Sequence, residues 1–387
     1  MDRRRFLGHA LAGGTATALG AAVWPTANHR CPIEDSVGQT AVEVFGPTPS
    51  YSIVPVVGDG KWIWNEPPEK DRGYLEPRSY RARIGVEVQG TGDARAIKAT
   101  TPVPLEHPEQ KIDDVEIITD GCQAKLRKLS DGAAQLAMYA GGIREGQTIR
   151  AVADFRLTIY KQYHGFDRDA FPSRQEPPRD IRLAALKDSP GIQTSLKQVR
   201  DLAEELTKGV EHPWDQANRF KEWVPKNIRA RIGPYTSVKA ALENRVGDCE
   251  ERSAVFVALC RSVGIPARLV WVPNHNWSEM YLHDHEGKGH WIPVHTSCYP
   301  WFGWVGAHEL VLQKGDRVRI PERRGVWRLL DDWAEFIGRK PKVRWTAELL
   351  PQAESEGADP GPGARHKDEK GEWLLHGKHP LDRYLRR

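Results

Sequence analysis

The sequence VGDCEERSAVFVALCRSVGIP, residues 246–266, decides what the rest of the chain must build. From Cys249 onward it contains no glycine or proline before Gly264, and its middle is continuously apolar. Gly264 suits the end of a helix, and Pro266 cannot continue one, so the pattern predicts a helix that ends there. A helix this apolar is expected at the centre of a domain, with Cys249 in its first turn.

A cysteine in the first turn of a helix is suited to act as a nucleophile. The helix dipole and the unpaired N–H groups favour an anion there, which lowers the pKa of a thiol. Because the dipole alone is too weak to ionise a thiol at neutral pH, a histidine must lie beside Cys249 to take the proton. The sequence downstream of the helix offers one.

The candidate base is His275, the first residue of HNWSEMYL (275–282). A second strand-like segment, 290–295, follows a polar turn that contains glycine. If the two segments form a hairpin centred near residue 285, His275 lies directly opposite His295, with Cβ atoms about 4.5–5.5 Å apart. This arrangement predicts that His295 orients His275, and the alternative is that His295 is only a structural side chain.

Four motifs in this order, GDC (247–249), GIPAR (264–268), HNWSEMY (275–281) and WIPV (291–294), resemble the transglutaminase-like (papain-like thiol) superfamily. The resemblance covers roughly residues 192–312 and implies catalytic residues in the order Cys, His, Asp.

The family pattern places the aspartate directly after the WIPV-type strand, where this chain has His295. A neutral imidazole can set the tautomer of His275, but it carries no negative charge to stabilise the imidazolium. Replacing the triad carboxylate of a serine protease costs about 10⁴ in rate, so slow turnover is expected here.

Other residues are weaker candidates for the same site. Asp284 is expected too near the hairpin tip to replace the aspartate, and Asp316 could reach the site only if the chain folded back. His308 is a minor candidate. For the oxyanion, the backbone N–H of Cys249 is a better-motivated donor than the hydroxyl of Tyr235, because a helix start presents unpaired N–H groups.

The predicted fold class is α+β, with an N-terminal antiparallel β-sandwich followed by a papain-like/transglutaminase-like domain of helices packed on an antiparallel sheet. From Tyr80, apolar and polar residues alternate with the period of a half-buried strand, and short strands between Gly and Asp turns favour a sandwich. The predicted segments are an irregular arm (28–75), the sandwich (76–165), a linker (166–191), the transglutaminase-like domain (192–350) and a disordered tail (351–387).

The first 27 residues resemble a twin-arginine export signal. The motif RRRFL (3–7) precedes an uncharged run rich in alanine, glycine and leucine. A plain secretory signal is the alternative. Either interpretation predicts export to the periplasm or the cell exterior, and no later segment is long and apolar enough to span a membrane.

The composition of the chain limits the kinds of molecule that it is expected to bind. The 387 residues are 39% hydrophobic, enough to bury sizeable cores, and the net charge of +4 is too small to indicate a nucleic-acid partner. No calcium or zinc signature is apparent, so neither metal nor cofactor is predicted. The expected partner is a protein or peptide substrate, with a cell-envelope component as one candidate, and the oligomeric state stays open.

The sequence therefore predicts an exported thiol-dependent amide hydrolase, protease or amidase, acting through Cys249, His275 and His295. Two alternatives stay open. The acyl-enzyme could pass to a lysine amine, which would make the protein a crosslinking acyltransferase. Alternatively, the histidine at the usual aspartate position could mark a non-catalytic binding module.

Overall fold

The computed structural model describes residues 71–130, 132–231, 234–273, 275–296, 302–305 and 308–351. The predicted signal segment, most of the predicted arm and the tail beyond residue 351 lie outside these ranges. The interpretations that concern them stay predictions.

The described chain begins with long antiparallel strands, and the strand predicted from the alternation after Tyr80 is confirmed as part of β1. In β1, for example, Ala82, Ile84, Val86 and Val88 are buried between more exposed neighbours. The strands are β1 (Gly73–Gln89), β2 (Ala94–Val103), β3 (Gln110–Asp120), β4 (Gln123–Ser130), β5 (Ala133–Ile143) and β6 (Thr148–Tyr163).

Helices dominate the middle of the described chain. They are α1 (Arg179–Ala185), α2 (Lys197–Thr207), α3 (Pro213–Asn227), α4 (Val238–Asn244) and α5 (Cys249–Ser262). Two short parallel strands, β7 (Arg229–Ala230) and β8 (Val246–Gly247), pair immediately before α5. The helix predicted from residue 249 is confirmed as α5, and it is buried from Cys249 to Arg261.

Strands return after α5. They are β9 (Ala267–Val272), β10 (His275–His283), β11 (Gly289–Val294), β12 (Trp304–Val305), β13 (Gln313–Lys314), β14 (Trp333–Gly338) and β15 (Lys342–Pro351). With the helices and the antiparallel pairing of the two large sheets, this makes the fold class α+β.

The strands form two large sheets. The first has the order β12-β6-β1-β15, with β3 also pairing with β6. The second has the order β11-β10-β9-β13-β5-β2-β14, with β4 also pairing with β5. Side chains from both sheets form one hydrophobic cluster that includes Ile84, Phe155, Leu136 and Met138.

The second sheet joins the N-terminal strands to the β10–β11 hairpin. The two-residue strand β13 makes this connection, because Gln313 pairs with Ala133 of β5 on one side and with Trp271 of β9 on the other. In addition, β14 and β15 pair with β2 and β1. Strands from both sides of the predicted boundary therefore share sheets, and a separate N-terminal sandwich stays a prediction.

A second hydrophobic cluster surrounds α5. It contains the apolar middle of this helix together with Phe220 of α3, Trp271 of β9 and Met280 of β10. The helix is thus packed between other helices on one side and the β9–β10–β11 part of the second sheet on the other. Within the described ranges, no helix has the length and apolarity that crossing a bilayer requires.

Candidate active site

The start of α5 is held by a reciprocal cap. The Asp248 carboxylate accepts a hydrogen bond from the Glu250 N–H at 2.9 Å, and the Glu251 carboxylate accepts one from the Asp248 N–H at 3.0 Å. Glu251 also accepts a bond from the Thr236 N–H at 2.8 Å, which ties the preceding loop to the helix. Cys249 is therefore held as the first helical residue, and it is 5% exposed.

Gly247 allows this cap to form. A Cβ atom added at Gly247 would lie 2.4 Å from the Cβ of Glu251. Because the Glu251 side chain is held in the cap, it cannot move away to relieve this contact. The glycine of the GDC motif is thus a packing requirement of the cap.

Gly247→Ala is expected to lower the free energy of unfolding by about 1–3 kcal/mol, because the added methyl must displace Glu251. Urea denaturation measures this change. The matched control is Gly141→Ala, since a Cβ there meets no atom within 4 Å and the backbone is ordinary strand. Equal stabilities for the two variants would contradict this account.

The acidic residues around Cys249 have structural partners. Glu250 is 4% exposed and forms an ion pair with Arg328. The Arg328 guanidinium lies 3.6 Å from the ring centroid of Tyr235. The Tyr235 hydroxyl donates to the Gly191 carbonyl at 2.8 Å, and burial raises the pKa of this tyrosine well above its usual value. Tyr235 is therefore engaged away from an oxyanion.

The chain returns from α5 to the level of Cys249 along β9. The helix has 14 residues and rises about 20 Å at 1.5 Å per residue. The six residues of β9 cover a similar length of about 20 Å. Arg261, near the end of the helix, donates to the Ala267 carbonyl at the start of β9 at 2.9 Å, so helix and strand run in opposite directions.

A contact between β10 and α5 shows where His275 lies along the length of the helix. The Ser278 hydroxyl of β10 donates to the Ser253 carbonyl of α5 at 3.2 Å. Ser253 lies one helical turn after Cys249, and Ser278 lies three residues after His275. Strand β10 runs from the N-terminal towards the C-terminal end of the helix. His275, which precedes Ser278 in β10, and Cys249, which precedes Ser253 in α5, therefore both lie towards the N-terminal end. The structure thus places Cys249 and His275 at the N-terminal end of α5.

His275 and His295 are neighbours, but their predicted pairing is wrong. The observed register pairs Ser278 with Val294, so its continuation places Trp277, and not His275, opposite His295. The error is two residues, which preserves the face of the sheet because strand side chains alternate with period two. The rings of His275 and His295 are stacked, with centroids 5.8 Å apart, and the Trp277 ring lies 5.0 Å from His295.

The surroundings of His295 favour its neutral form. Burial lowers its pKa well below the usual 6.5, and the positive charge that His275 can carry beside it lowers it further. His295 is 3% exposed. It can pack against His275 and exclude water from the surroundings of that ring, but it cannot supply a negative charge.

The His295 ring is expected to stay unprotonated from pH 8 to pH 5.5, whereas in the urea-unfolded chain it should titrate near 6.5. Since the unfolded chain then binds a proton that the folded chain does not, this residue's contribution to stability is present above pH 6.5 and is lost as the pH falls. NMR of isotopically labelled histidine, assigned with His295→Gln, measures the titration. A folded-state midpoint near 6.5 would contradict the assignment.

Neither candidate aspartate lies at the site. Asp316 accepts two hydrogen bonds from the Arg261 guanidinium, at 2.9 and 2.8 Å, and so lies at the C-terminal end of α5, opposite to Cys249. Asp284 lies at the tip of the β10–β11 hairpin, 2.7 Å from the ring of His290. His308 is bonded to the Glu76 carbonyl at 2.6 Å, on the β1 side of the chain.

The glutamate of the HNWSEMY motif has a structural role. Glu279 is 1% exposed and contacts Arg268 at 2.6 Å and Lys314 at 2.7 Å. Burial raises its pKa, but the two cations outweigh this effect and hold the pKa at about 2. Lys314 also contacts Glu109 at 2.6 Å, so this cluster fastens the hairpin to β13 and to the start of β3.

The sequence did not single out Glu309. This residue is 8% exposed, and burial raises its pKa to about 7. The only sequence signal was a glutamate within the otherwise apolar run HELVL (308–312).

Within the described part of the chain, no group of three or more histidine, cysteine or acidic side chains is arranged to hold a metal ion.

The family comparison covers the same stretch of chain. The model of the transglutaminase-like superfamily matches residues 200–296, a range that contains Cys249, His275 and His295. This stretch of the chain is therefore similar to the transglutaminase-like superfamily. No curated protein shows significant sequence similarity to the chain.

Two solved structures are similar to this one. A candidate cysteine protease from Cytophaga hutchinsonii is 16% identical, with a TM-score of 0.48, and the match covers 72% of this chain and 98% of that one. A candidate protease from Parabacteroides distasonis is 13% identical, with a TM-score of 0.24, and the match covers 57% of this chain and 44% of that one.

Proposed function

We propose that the protein is a thiol enzyme that hydrolyses amide or peptide bonds, with Cys249 as the nucleophile and His275 as the base. The observation that carries this proposal is the placement of both residues at the N-terminal end of one buried helix, inside the transglutaminase-like domain. The helix start favours a thiolate, and the imidazole accepts its proton.

The proposed reaction has two steps. The Cys249 thiolate attacks the carbonyl carbon, the C–N bond breaks, and the amine leaves with the proton that His275 had taken. Water then attacks the thioester, with His275 as base, which releases the acid and restores the thiol. The backbone N–H of Cys249 is suited to hold the oxyanion, because it lies at the start of α5, where the helix dipole favours negative charge.

The remaining features of the proposal rest on the sequence. RRRFL (3–7) supports export to the periplasm or the cell exterior, and the strands of 76–165 support a sandwich that acts as a scaffold. The proposed substrate is a protein or peptide, with a cell-envelope component as a candidate.

One observation favours a second function. His295 occupies the position of the family's aspartate, and burial lowers its pKa, as expected of a domain that has kept the fold but lost turnover. The second proposal is accordingly a binding module that recognises a protein without cleaving it.

Cleavage of a peptide library by the full chain separates the two proposals. A hydrolase yields cleaved peptides, and a primary-amine probe added to the same reaction reveals transfer to an amine if the thioester is shielded from water. Cys249→Ala is the control in both assays. Cleavage that persists in this variant, or no cleavage and no amine incorporation by the wild type, would overturn the enzymatic proposal.

A further inference from the structure

The loop between β13 and β14, residues 315–332, brings an arginine to the start of α5. A buried glutamine of β13 fixes the backbone around this arginine. The Gln313 side-chain amide donates to the Arg328 carbonyl at 2.9 Å and accepts from the Leu330 N–H at 2.8 Å. Because Gln313 is 1% exposed, these hydrogen bonds are shielded from water, and Arg328 is held in one place.

The same loop is anchored at two more points. Val318 and Trp327 exchange backbone hydrogen bonds of 2.7 and 2.8 Å. Glu322 forms an ion pair with Arg127 of β4 at 2.5 Å and accepts a hydrogen bond from Gln135 of β5 at 3.0 Å. These contacts fasten the loop to the second sheet, so the sheet determines where the loop meets α5.

The guanidinium group of Arg328 meets the first turn of α5. It forms an ion pair with Glu250, and the two side chains are only 14% and 6% exposed. It also lies 3.6 Å from the ring centroid of Tyr235 and 5.3 Å from that of Trp271. Since partly buried charges are screened less than exposed ones, the charge of Arg328 acts strongly on Glu250.

Glu250 directly follows the candidate nucleophile. Consecutive Cα atoms are about 3.8 Å apart, so the Glu250 carboxylate lies within about 10 Å of the Cys249 thiol. Cys249 and Glu250 are 5% and 4% exposed, and a carboxylate this close disfavours a second negative charge. The helix dipole favours both anions, but a carboxyl group ordinarily ionises near pH 4.3 and a thiol only near 8.5. Without a cation on Glu250, its carboxylate would therefore oppose formation of the thiolate.

Other charged or titratable side chains lie at the same end of α5. They belong to the helix cap, to a second arginine, to the tyrosine under Arg328 and to the two stacked histidines: Asp248, Glu251, Arg252, Tyr235, His275 and His295. The Arg252 guanidinium donates to the Ile228 carbonyl at 2.8 Å, and the positive charge of His275 is itself a product of the proposed proton transfer. Arg328 is the permanent cation that forms an ion pair with Glu250.

We propose that Arg328 is a positioning residue that neutralises the Glu250 carboxylate and so leaves the negative charge at the start of α5 to the Cys249 thiolate. Arg328 acts through Glu250, and no bond to either residue forms or breaks in the reaction. The inference rests on the proposed function, because it concerns the ionisation of the proposed nucleophile. It also gives the β13–β14 loop, which follows the stretch matched by the family model, a role in the site.

The test measures the rate of Cys249 alkylation by iodoacetamide from pH 5 to pH 10 in the full chain. Wild type, Arg328→Gln, Glu250→Gln and the double variant are compared. Arg328→Gln should raise the midpoint of the alkylation curve by about one to two pH units, as expected for a like charge at about 7–10 Å and an effective dielectric constant of about 20. Glu250→Gln should leave the midpoint at or below the wild-type value. The double variant should return to within about 0.5 pH units of wild type, because it removes both charges.

Two controls separate the charge of Arg328 from its packing. Arg328→Lys keeps the charge and should retain most of the wild-type midpoint. Arg127→Gln breaks the ion pair with Glu322, whose side chains are 19% and 6% exposed and which anchors the same loop on β4. This variant should leave the midpoint unchanged. A merely structural role for Arg328 would lower the Tm of Arg328→Gln without moving the midpoint of the folded protein.

A second comparison applies if Arg328→Gln does not fold. The double variant carries no unpaired charge at this position, and it differs from Glu250→Gln only in lacking the cation. Its midpoint should therefore be higher than that of Glu250→Gln. Identical curves for these two variants would overturn the role of Arg328.

The outcomes separate this inference from the enzymatic proposal. If the wild type is reactive near pH 6 and folded Arg328→Gln gives the same curve, the role of Arg328 is overturned and the enzymatic proposal stands. If wild-type Cys249 reacts as an ordinary thiol, with a midpoint near 8.5, both are overturned.

Discussion

Cys249→Ala is expected to reduce peptide cleavage by a factor on the order of 10⁴ or more, because removal of the nucleophile leaves only binding and oxyanion stabilisation. Cys249 is suited to this role by its position at the capped start of α5, where the helix dipole favours an anion. Turnover of a peptide found in the library screen, with protein folding checked by circular dichroism, measures the loss.

Cys260 provides a matched control in the same helix. Neither Cys260 nor Cys249 forms a disulfide with a described residue. Cys260 lies near the other end of α5 and is completely buried, and burial raises the pKa of its thiol well above the usual value. Cys260→Ala should therefore keep activity within a few-fold of wild type. Equal activity of the wild type and Cys249→Ala would remove the thiol from the mechanism.

Asp316→Ala is expected to destabilise the fold by about 3–5 kcal/mol, because it leaves Arg261 as an uncompensated buried charge. The Arg261 and Asp316 side chains are 0% and 1% exposed, 2.8 Å apart. Asp316 also accepts from the Leu269 N–H at 3.3 Å and from the Ser189 hydroxyl. The pair holds the C-terminal end of α5 against β9 and the loop after α1, and urea denaturation measures its contribution.

The exposed pair of Lys197 and Asp201 is the control for this second prediction. Its side chains are 81% and 56% exposed, so Asp201→Ala should cost less than about 1 kcal/mol. Asp316→Ala should also retain catalysis at temperatures where it stays folded, since Asp316 lies at the far end of α5. A variant that is stable but inactive would instead place Asp316 in the chemistry.

The sequence predicted the elements with strong periodicity. The apolar run after Cys249 and the alternation after Tyr80 are long signals, and they correspond to α5 and β1. The side of the sheet on which His275 and His295 meet was also predictable, because it depends only on the period of two. These features are local, so neighbouring residues determine them.

The register of the hairpin and the role of β13 were not predictable in the same way. A hairpin centred one residue later than expected, at residue 286 instead of 285, moves the pairing by two residues without changing either strand's pattern. The strand β13 has only two residues, too few for any periodic signal, yet it joins β5 to β9. Both features are set by contacts between segments far apart in the chain.

Glu309 illustrates a further limit of the sequence analysis. The burial of its carboxyl group depends on how residues 308–314 pack against β9. The relevant contacts, from Gln110 to Val311 and from Leu312 to Trp271, join residues that no motif connects. For this reason the sequence alone did not indicate that this carboxyl group is buried.

The pH dependence of Cys249 alkylation, measured with iodoacetamide and peptide mass spectrometry in wild type and His275→Ala, tests the pairing of thiol and imidazole most directly. We predict that the wild-type thiol already reacts rapidly near pH 6 and that the variant's midpoint moves towards the ordinary value of about 8.5. Identical curves for the two proteins, with midpoints near 8.5, would contradict the central claim.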